Sequence, residues 1–111
     1  MAEHDAHEQL PATFRTFVEK YPAFAEAHDA NAKAEYAVGP LDEKMCELIK
    51  IGICVGAELE SALRSHVRKA MQRGATKEEI EQAILLAMNT CGWPRAVAAW
   101  RWAEIQFERG A

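Results

Sequence analysis

Apolar residues recur at three- and four-residue intervals from Leu10 to Phe107, the repeat that gathers side chains on one side of an α-helix. No stretch alternates apolar and polar positions as a half-buried strand does, and no Asn-Gly turn joins two such stretches. The pattern predicts an all-α chain of six helices. The first spans residues 10–20, with Pro11 at its start and Phe14, Phe17 and Val18 on one side. Tyr21-Pro22 interrupts it. An alanine-rich second helix over 22–36 carries Phe24 and His28 and is closed by Gly39-Pro40.

The third helix, 41–56, has Met45, Leu48, Ile49, Ile51, Ile53, Cys54 and Val55 around most of its circumference, which reads as a buried central helix. Glu47 and Lys50 are its polar exceptions, and a charge in that setting must find a partner or be neutralised. The fourth, 58–73, places Leu59, Ala62, Leu63, His66, Val67, Ala70 and Met71 on one face, with Glu60, Arg64, Arg68 and Lys69 outward. His66 therefore points inward. Gly74 ends this helix, and Thr76 followed by Glu79 forms a capping box for the fifth. That helix sets Ile80, Ala83, Ile84, Ala87, Met88 and Cys91 on its inner face and stops at Gly92. Pro94 opens the sixth, 95–107, whose Val97, Trp100, Trp102, Ile105 and Phe107 are more large apolar surface than one face of a small domain hides. A homo-oligomer accounts for the surplus.

At 111 residues the chain has room for one domain, 1–111. Thirteen basic residues against seventeen acidic ones leave a net charge of −4, which argues against nucleic acid as a partner. No apolar run approaches the ~18 residues of a membrane span. Residues 1–9 carry Glu3, Asp5 and Glu8 where a signal peptide has basic and then apolar residues, so a cytoplasmic location is expected. His4 and His7 with Asp5 fall short of the ligand set of a specific metal site and read as a solvated tail. No metal is expected. Cys46, Cys54 and Cys91 form no CxxC and fit a reducing compartment. On one helix, Cys46 and Cys54 stand roughly 12 Å apart, beyond disulfide reach.

Four segments carry a family likeness: ELI at 47–49, SHVRKA at 65–70, GATKEEI at 74–80 and CGWP at 91–94. Together they resemble the carboxymuconolactone decarboxylase family, which includes the alkylhydroperoxidase D-like proteins. The resemblance implies a family core over about 41–102 behind N-terminal helices in 1–40. It implies a central antiparallel pair made by the third and fourth helices, and assembly as a homotrimer or, for a short chain, a homohexamer. In the peroxidase branch the pattern is a glutamate, a CxxC, and a histidine four residues after the second cysteine. Glu47 and His66 match, but the two cysteine positions are Leu59 and Ala62. A peroxidatic cycle needs a thiolate to attack peroxide and a second thiol to resolve the sulfenic acid, and neither residue supplies one. The decarboxylase branch has a tyrosine two places before the glycine of the last segment; here it is Thr90.

Glu47 and His66 are the candidate acid/base pair, since imidazole titrates near neutral pH. The same two residues also suit a purely structural hydrogen bond that keeps two helices in register. Cys54 and Cys91 are the remaining redox candidates, although a thiol on an apolar helix is usually inert. Cys46, beside Glu47, is expected to be structural. The cationic row Arg64, Arg68, Lys69 and Arg73 reads as a solvated face, or one that meets acidic residues of another subunit. Arg95 and Arg101 are placed to hold a carboxylate near Trp93. Three functions follow. The first is cofactor-free acid/base chemistry on a small organic acid, lactone or enol, in the manner of a decarboxylase or isomerase. The second is a peroxiredoxin-type antioxidant using a remaining cysteine, less favoured because the CxxC is absent. The third is a non-catalytic oligomeric binding protein.

Overall fold

The computed structural model describes residues 12–111. The tail residues His4, Asp5 and His7, and the start of the first predicted helix at 10, lie outside them. Among the described residues there are seven helices and no strand: α1 (Ala12–Lys20), α2 (Pro22–Ala37), α3 (Glu43–Ala57), α4 (Glu60–Gln72), α5 (Lys77–Leu85), α6 (Met88–Cys91) and α7 (Trp93–Arg109). They fall into two compact units divided after Pro40.

In the first unit, Pro22 opens α2, where its missing N–H costs no helical hydrogen bond. The Tyr21 N–H closes α1 by donating to the Phe17 carbonyl at 2.8 Å. The Phe17 and Tyr21 rings lie 5.1 Å apart, and the Phe24 ring meets Tyr21 edge-on at 6.2 Å. Neither helix has a fully buried residue.

The second unit, Leu41–Ala111, is built on the α3–α4 pair. Asp42 caps α3 by accepting the Met45 N–H at 2.8 Å. At the other end Glu58 takes a left-handed conformation, φ 58°, so that Leu59 N–H reaches the Cys54 carbonyl at 3.0 Å and the chain reverses in two residues. A non-glycine residue there costs about 1 kcal/mol. Arg95 braces the turn, donating to the Gly56 carbonyl at 3.0 Å and pairing with Glu58 at 3.4 Å.

Ile51, Val55, Leu63, Val67, Ile80 and Ile84 fill the core, each side chain contributing roughly 1.5–3 kcal/mol by leaving water. From α7 the buried residues are Ala96, Ala99, Ala103 and Gln106, and the three alanines make a stripe of small side chains that lets this helix come close to α4. Its large residues flank the stripe, with Trp102 and Phe107 packed at the edge of the core and Trp93 and Val97 exposed.

Three expectations change. The predicted fifth helix is divided, because the Leu86 and Ala87 N–H groups turn back to Gln82 and Ile84, and α6 starts afresh before Gly92, φ 105°, ends it. The third helix is not enclosed all round: Met45, Ile49 and Ile53 are 43%, 44% and 61% exposed. Leu59, expected on the inner face of the fourth helix, stands just before α4 and is exposed. Among the described residues no helix is long and apolar enough to cross a membrane.

Candidate functional site

Glu47, on the second turn of α3, is completely buried, and its Oε1 lies 2.7 Å from Nδ1 of His66 on α4. Further along, Glu43 pairs with Arg73 at 3.1 Å. Moving back four residues on α3 thus moves forward seven on α4, which makes the helices antiparallel and fixes their register. An ionised carboxylate only accepts hydrogen bonds, so against a charged Glu47 the donor would be Nδ1–H, with Nε2 on the side of the ring turned away from the carboxylate. The His66 side chain is 20% exposed, so the ring joins a buried carboxylate to the protein surface. Among the described residues every buried side-chain nitrogen and oxygen is hydrogen-bonded.

Basic residues follow on the same helix. Lys69 follows His66 by three residues on the same side of α4, is only partly exposed, and lies within the field of Glu47, Arg68, Lys50 and Arg73. Burial pushes its ammonium below the ordinary lysine value; Glu47 opposes that shift and the three cations reinforce it. Arg68 also departs from the solvated row. It is nine-tenths buried, its guanidinium reaches only the Ser65 hydroxyl at 3.4 Å, and it makes no ion pair with a described carboxylate. Burial lowers its pKa. The physical reason is that α4 is packed on two sides, against α3 and against α7, leaving a narrower solvent face than an isolated amphipathic helix has. Arg64 and Arg73 pair within the chain, Arg64 with Glu60 at 3.9 Å and Arg73 with Glu43. Sequence reading missed Lys69 as a neighbour of the pair; its three-residue offset from His66 was the available signal.

The redox candidates lie in different settings. Cys54 is buried, and its thiol is pushed up first by burial and then by the Glu47 carboxylate. Cys91 is half-buried, with its Sγ 3.3 Å from the place a Cβ on Gly56 would occupy, so Gly56 makes room for it. Cys46 donates to the Leu41 carbonyl at 3.7 Å. All three thiols are free. At the two cysteine positions of the peroxidase pattern, Leu59 precedes α4 and Ala62 lies in its first turn. Arg95 is engaged with Gly56 and Glu58, and Arg101 with Glu104 at 3.3 Å, while Trp93 is exposed. No group of three or more His, Cys, Asp or Glu able to hold a metal occurs among the described residues.

In this all-helical protein a buried carboxylate meets an imidazole across an antiparallel helix pair, and among the described residues no dithiol lies beside them. The chain belongs to the carboxymuconolactone decarboxylase family, whose model matches residues 22–104. An uncharacterized protein of Methanocaldococcus jannaschii is 31% identical over 93 residues, covering 83% of this chain and 87% of that one. The nitrosuccinic acid decarboxylase of Metarhizium robertsii is 36% identical over 59 residues, which are 53% of this chain but only 41% of that enzyme. Among solved structures, the apo form of a carboxymuconolactone decarboxylase family protein from Legionella pneumophila shares the fold, with a TM-score of 0.74 at 23% identity over 89% of this chain and 88% of that one.

Proposed function

We propose that the protein is a proton-transfer enzyme acting on a small organic acid, in the manner of a decarboxylase, with His66 as the acid/base and Glu47 as the group that orients and charges it. The 2.7 Å contact between a fully buried carboxylate and a partly exposed imidazole carries the reading. Glu47 holds Nδ1–H, which fixes the ring and leaves Nε2 to face the reacting carbon. In a decarboxylation the bond between carbon and carboxylate breaks, its electron pair stays on the carbon, and carbon dioxide leaves. His66 Nε2–H then delivers the proton to that carbon, and the imidazole regains a proton from water. The residues require of the substrate only an acceptor group next to the carbon that takes up the charge. The relative named for decarboxylating nitrosuccinic acid supports this chemistry, since a nitro group is such an acceptor. The thiol-dependent alternative gains no support from Cys54, whose surroundings disfavour the thiolate.

Nitrosuccinate is the first substrate to test, with carbon dioxide release followed against a buffer blank. His66→Gln keeps a hydrogen-bonding side chain of similar size and should fold normally while losing on the order of 10²–10⁴-fold in kcat. A His66→Gln variant with unchanged turnover overturns the assignment. If neither protein turns over this acid or any lactone offered, and His66→Gln only lowers Tm, the pair is structural and the binding-protein reading stands.

A further inference from the structure

We propose that Arg68 and Ser65, with Arg64 one turn earlier, form a binding site for a doubly charged oxyanion of the phosphate type, on the side of α4 turned away from His66. Arg68 follows His66 by two residues, about 200° around the helix, so the two side chains leave α4 on nearly opposite sides. Ser65 and Arg64 precede Arg68 by three and four residues, the spacings that bring helical side chains together on one side.

Arg68 is nine-tenths buried, and its guanidinium makes one contact with the protein, Nη2 donating to the Ser65 hydroxyl oxygen at 3.4 Å. That is a long hydrogen bond to a neutral group. A guanidinium has five N–H donors and keeps its charge in a protein, and no described carboxylate pairs with this one. Its remaining nitrogens are not sealed in, because every fully buried side-chain nitrogen and oxygen among the described residues is hydrogen-bonded. The stem is therefore covered while the unpaired edge of the fork opens outward. Burial lowers the pKa of Arg68, as it does for a cation whose charge is not answered nearby.

The neighbours suit an anion at that opening. Ser65, half-buried, accepts from Arg68 and keeps its own O–H to donate. Arg64 brings a second guanidinium, tied to Glu60 only at 3.9 Å, beyond hydrogen-bond length. A single carboxylate answers one of these cations. A phosphate dianion answers both, and its tetrahedral oxygens can accept from the Arg68 fork and from the Ser65 hydroxyl together.

Inorganic phosphate is the probe, titrated into the full chain at constant ionic strength held with sodium chloride, at a pH where phosphate is a dianion. Tm is followed by circular dichroism and binding by calorimetry. Phosphate should raise Tm saturably, and acetate should need at least about tenfold more for the same shift. Arg68→Met, an apolar side chain of similar length, should fold and lose the phosphate response. Arg68→Lys keeps the charge without the fork and should bind at least about tenfold more weakly. Lys33→Met, at an exposed lysine of α2, and His66→Gln should both keep the wild-type response. A phosphate effect no larger than that of chloride, equal potency of acetate, or a response that survives in folded Arg68→Met or at full affinity in Arg68→Lys overturns the proposal. Loss of the response in His66→Gln also overturns it, since the anion then sits at the Glu47 pair. So does an Arg68→Met chain that sediments as a smaller species than wild type while neither responds to phosphate, because a carboxylate of a second copy is then the counter-ion.

Discussion

A carboxylate taken wholly out of water persists only when its charge is answered, and at Glu47 the answer comes chiefly from α4. That negative charge has a second effect, on Cys54. Burial and Glu47 both act against the thiolate, so Cys54 should be inert. Treated with stoichiometric hydrogen peroxide near neutral pH and read by peptide mass spectrometry, it is expected to stay reduced while free cysteine is consumed at least about tenfold faster. Rapid formation of a Cys54 sulfenic acid, or of a thiol-reversible disulfide with Cys91, would bring back the antioxidant reading despite Leu59 and Ala62. At this scale the Glu47–His66 contact was legible, because a buried charge on a largely apolar helix demanded a partner and the family resemblance paired it with the inward-facing His66. The burial of Arg68 was not legible. Helical spacing places a residue around its own axis, but it does not say how many neighbours crowd that side.

At the scale of elements, the boundaries written in local chemistry were the ones that could be read. Thr76 and Glu79 form the expected capping box, with Thr76 N–H donating to Glu79 at 2.8 Å and Glu79 N–H to Thr76 at 3.1 Å. Lys44 of α3 adds an ion pair to Glu79 at 2.9 Å, so one carboxylate both starts α5 and ties it to α3. The Thr76 backbone and Lys44 hold Glu79 below the ordinary glutamate range, and Glu79 in turn raises Lys44. A carboxyl depressed on folding stabilises the protein above its unfolded value, and that stability is lost as pH falls through the folded one. Glu79→Gln should therefore lower Tm at about pH 7, and the gap from wild type should close once acid takes the pH below the glutamate range. A gap that is constant down to acid would show that the amide's geometry, and not the charge, is responsible. Other boundaries left no such mark. The break between α5 and α6 falls at Leu85–Leu86–Ala87, with neither glycine nor proline, and the buried stripe of α7 is three alanines and Gln106 beside larger residues that dominate the apolar pattern.

At the scale of the molecule, a helix apolar all round shows only that it must be covered, not by which chain. Within this chain α3 is covered on the side of Glu47, Ile51 and Val55. Met45, Ile49 and Ile53 form a stripe at four-residue spacing on the far side, all exposed. Gly52 lies beside that stripe, with nothing within 4 Å of the place a Cβ would take, so a neighbouring helix could approach closely. Soluble monomers seldom leave a contiguous apolar face of this kind in water. The assembly we propose is a homohexamer, with this stripe among the surfaces that join its copies. Sedimentation equilibrium of wild type should then give a multiple of the 12.4 kDa chain mass, six copies being expected. Ile53→Glu would place a charge in the joint, where an unpaired carboxylate costs several kcal/mol, and should shift the population to smaller species while the helical circular dichroism of each chain is kept. A wild type that sediments as a single chain ends the hexamer proposal. If wild type is oligomeric and Ile53→Glu remains so, the joint lies elsewhere, with the exposed Trp93 and Val97 of α7 the next surface to change.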